Sequence, residues 1–358
     1  MVEPILKTEE QAVLALRALY RRYGYTPYKM SQFESYDLYV RNKDFLVSDK
    51  IITFSGDSGR LLALKPDVTL SIVKNAPEGP GEIQKVYYNE NVYRDYREIL
   101  QTGLECVGDV GSYEIAEVVT LAVRSLEALG GNFVLNISHM GLMAAALEAS
   151  GLSAEEKRRA ADCLRQKSSH ELFSLCRGNP AAWERLGALI SSRGSGDDVL
   201  PALGKVLTSP KEQEALEELR ELWGLLKDCG CESHVCLDFS VANSLRYYSG
   251  VVFRGYLEGI PERILSGGQY DSLARKMGRQ CRAIGFAVYL DLLQERQSQE
   301  ASLDVDTLIL HDGTIDVSVL TAAAQEAAKE GSVLVSRTIP RDRGFRRLVE
   351  FKNGRRKP

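Results

Sequence analysis

No apolar run in this chain approaches the roughly 20 residues that a membrane-spanning helix needs. Residues 1–10 lack the basic, apolar, small-residue order of a secretory signal. A cytoplasmic chain is the expectation. Cysteines are few and scattered: 7, an odd number, with no Cys-x-x-Cys pair. Cys229 and Cys231 are the nearest two, and Cys236 follows. That spacing argues against a disulfide frame or a zinc site and reads as reduced thiols. The 4 histidines stand far apart, so a histidine-based metal site is not expected; no cofactor is expected either. A net charge of −4 supplies no global drive toward nucleic acid or membrane.

What is present is the composition of a soluble globular protein, 44% hydrophobic and 26% charged. A length of 358 residues suits two or three domains with a large core. Thr8-Glu9-Glu10-Gln11 is a capping box opening a helix, with Val13, Leu16, Tyr20 and Tyr23 as its apolar stripe and Gly24 as its end. Phe33-Glu34 and Tyr36 to Tyr39 read as extended. Ile51–Phe54 and Arg60–Leu64 read as a hairpin around a glycine-containing turn. Asp67 then precedes a helix from Thr69 to Lys74. An acid beside a hydroxyl, Asp67 with Thr69, suits an ammonium group, although Asp67 also serves as a helix N-cap.

Val86–Arg94 reads as a strand, and only Asp95 and Tyr96 separate Arg94 from Arg97. Gln101 and Glu105 are four apart, so on a strand both point to one face, and an acid and an amide on a buried face need partners. Ile115, Val118, Val119, Ala122, Leu126 and Leu129 then mark a helix, and Asn132–Ile137 a strand. From Ser153 to about Asp228 the chain reads as a helical insertion. Capping signals stand at Ser153 and Ser209-Pro210, and the last helix carries Ala215, Leu219, Leu222 and Leu226 as its stripe. Its basic residues alternate with acids, as on a solvated face.

Val241–Leu293 carries the most specific features. It holds Leu245-Arg246-Tyr247-Tyr248-Ser249-Gly250, then Ser266-Gly267-Gly268-Gln269-Tyr270-Asp271, then an apolar run from Ala283 to Leu293. Tyr248, Val252 and Tyr256 alternate as on one strand face. The glycine pair allows a small ligand to approach the backbone. A polar linker at 294–302 leads to a small unit: strands at Thr307–Leu310, Val333–Val335 and Leu348–Phe351, and a helix from Ser318 to Glu330. Between Arg337 and Lys357 lie nine basic and two acidic residues.

Leu245, Tyr247, Tyr248, Gly267, Gly268, Tyr270, Asp271, Gly285, Phe286 and Ala287 together resemble the core of the histidyl-tRNA synthetases. The resemblance implies an α+β class II synthetase-like core, a mainly antiparallel sheet with flanking helices. That core would occupy 1–300, with the insertion at about 151–230. A truncated anticodon-binding-like domain would follow at 303–358. It implies a histidine site made of Asp67, Thr69, Gln101, Glu105, Tyr247, Tyr248 and Tyr270. It also implies a dimer interface built on the first helix and strand, where Ser31 replaces the family's proline. The catalytic cations are not kept. Asn243 stands at the place of one family arginine, Leu292 at another, and the nucleotide-gripping loop between Arg94 and Arg97 is cut short.

Amino-acid activation sets two anions against each other, and fixed cations lower that barrier. No independent catalysis is therefore expected. Among paralogs on this core, the chain resembles the regulatory subunits of ATP phosphoribosyltransferase, the first enzyme of histidine biosynthesis. That implies a short-form catalytic subunit as partner, histidine as ligand, and a homodimer within a hetero-oligomer, without tRNA or membrane. A divergent histidyl-tRNA synthetase, or a histidine-binding paralog with another partner, stands as the alternative.

Overall fold

The computed structural model describes residues 6–46, 50–56, 59–77, 79–241, 247–293, 303–341, 343–353 and 355–356. Asn243, Leu245, Arg246, the 294–302 linker and Lys357 lie outside the described residues. The chain divides into two compact units, one of them Glu9–Leu292 and the other holding the residues from Leu293 onward.

The larger unit is built on a nine-stranded sheet. Its strands, in spatial order, are Thr26–Pro27, Ile83–Arg94, Arg97–Gly108, Arg282–Tyr289, Leu265–Gln269, Val251–Leu257, Phe133–His139, Val235–Asp238 and Arg193–Gly194. Pairing is antiparallel except for Thr26–Pro27 on the second strand and Phe133–His139 with Val235–Asp238. This is the mixed, antiparallel-rich sheet that the resemblance implies. The two long central strands form one hairpin, in register from Ile83↔Gly108 to Arg94↔Arg97. Asp95 and Tyr96 both take positive φ, 50° and 63°, the pattern of a two-residue type I′ turn.

One sheet face packs on helix Ser112–Leu129, whose Val118, Val119, Ala122 and Leu126 are buried. Helix Thr8–Arg22 joins it there: the Tyr20 hydroxyl lies 3.0 Å from Ser125 Oγ, and its ring meets Phe286 edge-on. The buried stripe of this first helix is Ala12, Leu16 and Tyr20. Tyr23, expected to extend it, is exposed, because the helix ends at Arg22 before that turn closes. On the opposite face lies a second cluster, in which Val68, Leu70, Ile72 and Val73 pack with Tyr39, Tyr88 and Tyr270. The segment Tyr36–Arg41 is a helix here, not an extended stretch. Tyr39 at its centre is fully buried in this cluster, so tertiary packing overrides the β preference of its aromatics.

The insertion folds as helices Ala154–Gln166, Ser169–Leu175, Pro180–Ser191, Gly196–Val206 and Pro210–Asp228. Capping boxes start the first and last of these at Ser153 and Ser209. The smaller unit has strands Val333–Ser336, Leu303–His311, Gly344–Lys352 and Arg355–Arg356 in that order, with helix Val317–Ala328 packed on Ile309 and Phe351.

Candidate functional site

On the sheet face opposite helix Ser112–Leu129 lies a cavity of about 300 Å³, the size of a small-molecule site. All seven residues singled out from the sequence line it: Asp67, Thr69, Gln101, Glu105, Tyr247, Tyr248 and Tyr270. Strand register explains part of this. Gln101 and Glu105 lie on one face of Arg97–Gly108, opposite Tyr289 and Gly285 of the neighbouring strand. Gly285 is required by Glu105, because a Cβ there would stand 1.7 Å from Glu105 Oε2. Gly268 does the same for Tyr248, whose ring would lie 2.7 Å from an added Cβ.

Glu105 is the polar centre. Thr69 Oγ1 donates to its Oε1 at 2.8 Å, and the Tyr270 hydroxyl donates to its Oε2. No cation pairs with it among the described residues. Burial pushes its carboxyl up to about 8, against the pull of the Tyr270 and Thr69 hydrogen bonds, and the nearby Asp67 adds to the rise. Asp67 divides its two oxygens. Oδ1 accepts the Leu70 amide at 2.9 Å, the capping role, while Oδ2 faces Arg94 at 3.5 Å. Burial raises Asp67 as well, and Arg94 and the Leu70 amide only partly offset it. The Arg94 guanidinium is further held by the Pro66 carbonyl, which accepts from Nε at 2.6 Å. Gln101, 2% exposed, has a side-chain oxygen with no hydrogen-bond partner among the described residues.

Tyr247 and Tyr248 do not lie on a strand, which begins only at Val251. On a strand, neighbours point to opposite faces. Off it, both rings turn into the cavity, 4.5 Å apart and edge to face, with Phe45 5.7 Å from Tyr247. Sequence reading missed Phe45, Tyr88, Arg263 and Tyr289 as lining residues. Tyr88 and Tyr289 share sheet rows with Gly103 and Gln101, so once the register is known they follow. Phe45 and Arg263 come from connecting segments and carry no local signal. Among the described residues, no cluster of metal-ligating side chains forms and no helix is long and apolar enough to cross a membrane.

Residues 2–293 match the family model described as histidyl-tRNA synthetase. The chain belongs to that family. A curated relative, the ATP phosphoribosyltransferase regulatory subunit of Oceanobacillus iheyensis, is 29% identical over 76% of this chain and 69% of its own. Family membership also has a structural counterpart. An ATP phosphoribosyltransferase regulatory subunit/histidyl-tRNA synthetase from Bacillus halodurans superposes with a TM-score of 0.74 at 22% identity, covering 96% of this chain and 94% of that one. The ATP phosphoribosyl transferase (HisG:HisZ) complex from Thermotoga maritima contains a chain with a TM-score of 0.61 at 18% identity, covering 78% and 96%. These two likenesses establish the class II synthetase-like fold.

Proposed function

We propose that this family member is a non-catalytic regulatory subunit of ATP phosphoribosyltransferase. It would assemble in the cytoplasm, as a homodimer within a hetero-oligomer, with a short-form catalytic subunit, and bind histidine in the cavity described above. One observation carries this reading. The acidic and hydroxyl lining suited to an ammonium and an imidazole is intact, while the nucleotide-gripping connection is a two-residue turn at Asp95-Tyr96. Asn243 and Leu292 hold the places of the family's arginines. Losing one such charge costs about two to three decades in rate. The relatives named as regulatory subunits, at 25–29% identity for the first three, support the same choice. The small unit after residue 302 fits a shortened counterpart of the family's anticodon-binding domain.

In the assembly, feedback requires only that histidine favour one state over another. Mixing the chain with a short-form phosphoribosyltransferase tests the reading. The expected result is a stable complex whose activity responds to histidine, with ATP–pyrophosphate exchange by the chain alone at background. Exchange at the rate of an ordinary synthetase, with no effect on the phosphoribosyltransferase, would refute it. Calorimetry with histidine on Gln101→Ala and Glu105→Ala tests the placement, and unchanged binding in both variants would move the ligand elsewhere.

A further inference from the structure

The cavity has two chemically opposite ends, and strand register sets them apart. Glu105 and Gln101 are four residues apart on one strand, about 13 Å along it. Gly285 pairs with Glu105 and Tyr289 with Gln101. The Tyr289 amide in turn donates to the Ile264 carbonyl at 2.8 Å. Arg263, the residue before Ile264, is thereby brought to the Gln101 end, where it is exposed and lines the cavity. The Glu105 end carries the acid and its two hydroxyl donors.

The charges around the cavity differ in how far they are committed. Arg94 is buried, held by Pro66 and faced by Asp67. Asp44, at the rim, lies 3.1 Å from Lys276. Arg263 has no ion-pair partner among the described residues, so its charge is available to a ligand. The same cavity holds the orphan oxygen of Gln101, and a buried acceptor of this kind calls for a donor from whatever fills it. An ammonium supplies that donor. In an α-amino acid the ammonium and the carboxylate share one carbon. A site that takes the ammonium at Gln101 and Asp67 therefore meets the carboxylate within reach of the next side chain.

We propose that Arg263 reads the α-carboxylate of the amino acid bound in this cavity. The assignment rests on the histidine reading above and adds the residue that discriminates an amino acid from the corresponding amine. The charge then comes from the connection between two strands, not from the segment holding Asn243. A guanidinium forms a charge-assisted, forked contact with a carboxylate. Its exposed position makes that contact sensitive to salt.

Calorimetry on the full chain decides it, with L-histidine, histamine (the same molecule without the carboxylate) and ATP as probes. The wild type is expected to prefer histidine over histamine by roughly tenfold or more, the size of one hydrogen bond to a charged group. Arg263→Ala is expected to remove that preference by weakening histidine alone, Arg263→Lys to keep part of it, and 0.5 M salt, which shortens the Debye length to about 4 Å from about 10 Å at 0.1 M, to narrow it. Three results overturn the assignment: histidine binding unchanged in Arg263→Ala, histidine and histamine weakened together, or ATP binding that depends on Arg263. Failure of the wild type to bind histidine is a separate outcome. It removes the pocket reading and the Arg263 assignment with it, whereas an unchanged Arg263→Ala removes the assignment and leaves the pocket standing.

Discussion

Glu105 makes the stability of the unliganded protein depend on pH in a direction opposite to that of most paired carboxylates. Burial raises its pKa from 4.5 to about 8. A raised acid binds its proton more tightly in the folded state than in the unfolded one. The stability it contributes is complete below the unfolded value and is lost as pH rises through the folded value. The interval is three to four pH units, and each unit is about 1.4 kcal/mol. Ionising Glu105 in the folded chain therefore costs about 5 kcal/mol more than in the unfolded one. Asp67 is raised too, so it contributes in the same direction. Glu105→Gln keeps the size of the side chain and removes the titration. Urea melts of both proteins from pH 5 to 8 read the difference directly. Wild-type stability is expected to decline relative to the variant by about 3 kcal/mol across that interval. Saturating histidine is expected to flatten the wild-type slope, because an ammonium or imidazolium supplies the charge that the lining lacks. Parallel curves for the two proteins would refute the reasoning, since the carboxylate would then be no harder to ionise folded than unfolded.

Two further substitutions test the geometry. Tyr96 sits at φ 63° in the hairpin turn and is exposed, so Tyr96→Gly removes left-handed strain without losing a buried contact and is expected to stabilise by about 1 kcal/mol, read as a higher urea midpoint. Gly285→Ala places a Cβ 1.7 Å from Glu105 Oε2. It is expected to cost about 1–3 kcal/mol and to abolish histidine binding; a variant that binds normally would mean that the Glu105 side chain moves freely.

The parts of this fold that were legible in the sequence are those whose signal is local. Ser153 and Ser209-Pro210 announce their helices, and both form the capping boxes expected of them. The four-residue spacing of Gln101 and Glu105 places both on one face, because a strand has period two. Two readings failed where a long-range contact decides the outcome. Tyr36–Tyr39 looks extended by composition, yet forms a helix that buries Tyr39 against the helix at Thr69–Lys74. Tyr248 was placed in alternation with Val252, but the strand starts after it, and only Gly268 across the sheet shows why its ring turns inward. Arg263 was invisible for a related reason. Its position depends on the Tyr289–Ile264 hydrogen bond between elements that composition does not connect.

The arrangement of charge argues against adenylate-forming catalysis more sharply than any single missing residue. A catalyst must bind the transition state more tightly than the ground state, and for acyl-adenylate formation that means fixed cations at the phosphorus. This lining does the reverse. Its centre is a buried acid held only by hydroxyls, and its one buried guanidinium faces Asp67. Such a site disfavours a triphosphate and favours a small cationic or zwitterionic ligand. Its charge would also link occupancy to stability. A ligand that supplies a positive charge beside Glu105 would offset the desolvation cost of its carboxylate, so binding would stabilise the folded lining around it. The segment best placed to register that difference is Tyr247–Tyr248, which is off the strand, with the Tyr247 ring against Phe45. Histidine-dependent protection of those residues from hydrogen exchange, lost in Glu105→Gln, is the signature of this coupling; equal protection with and without ligand would show that the cavity is rigid and that any signal leaves it by another route.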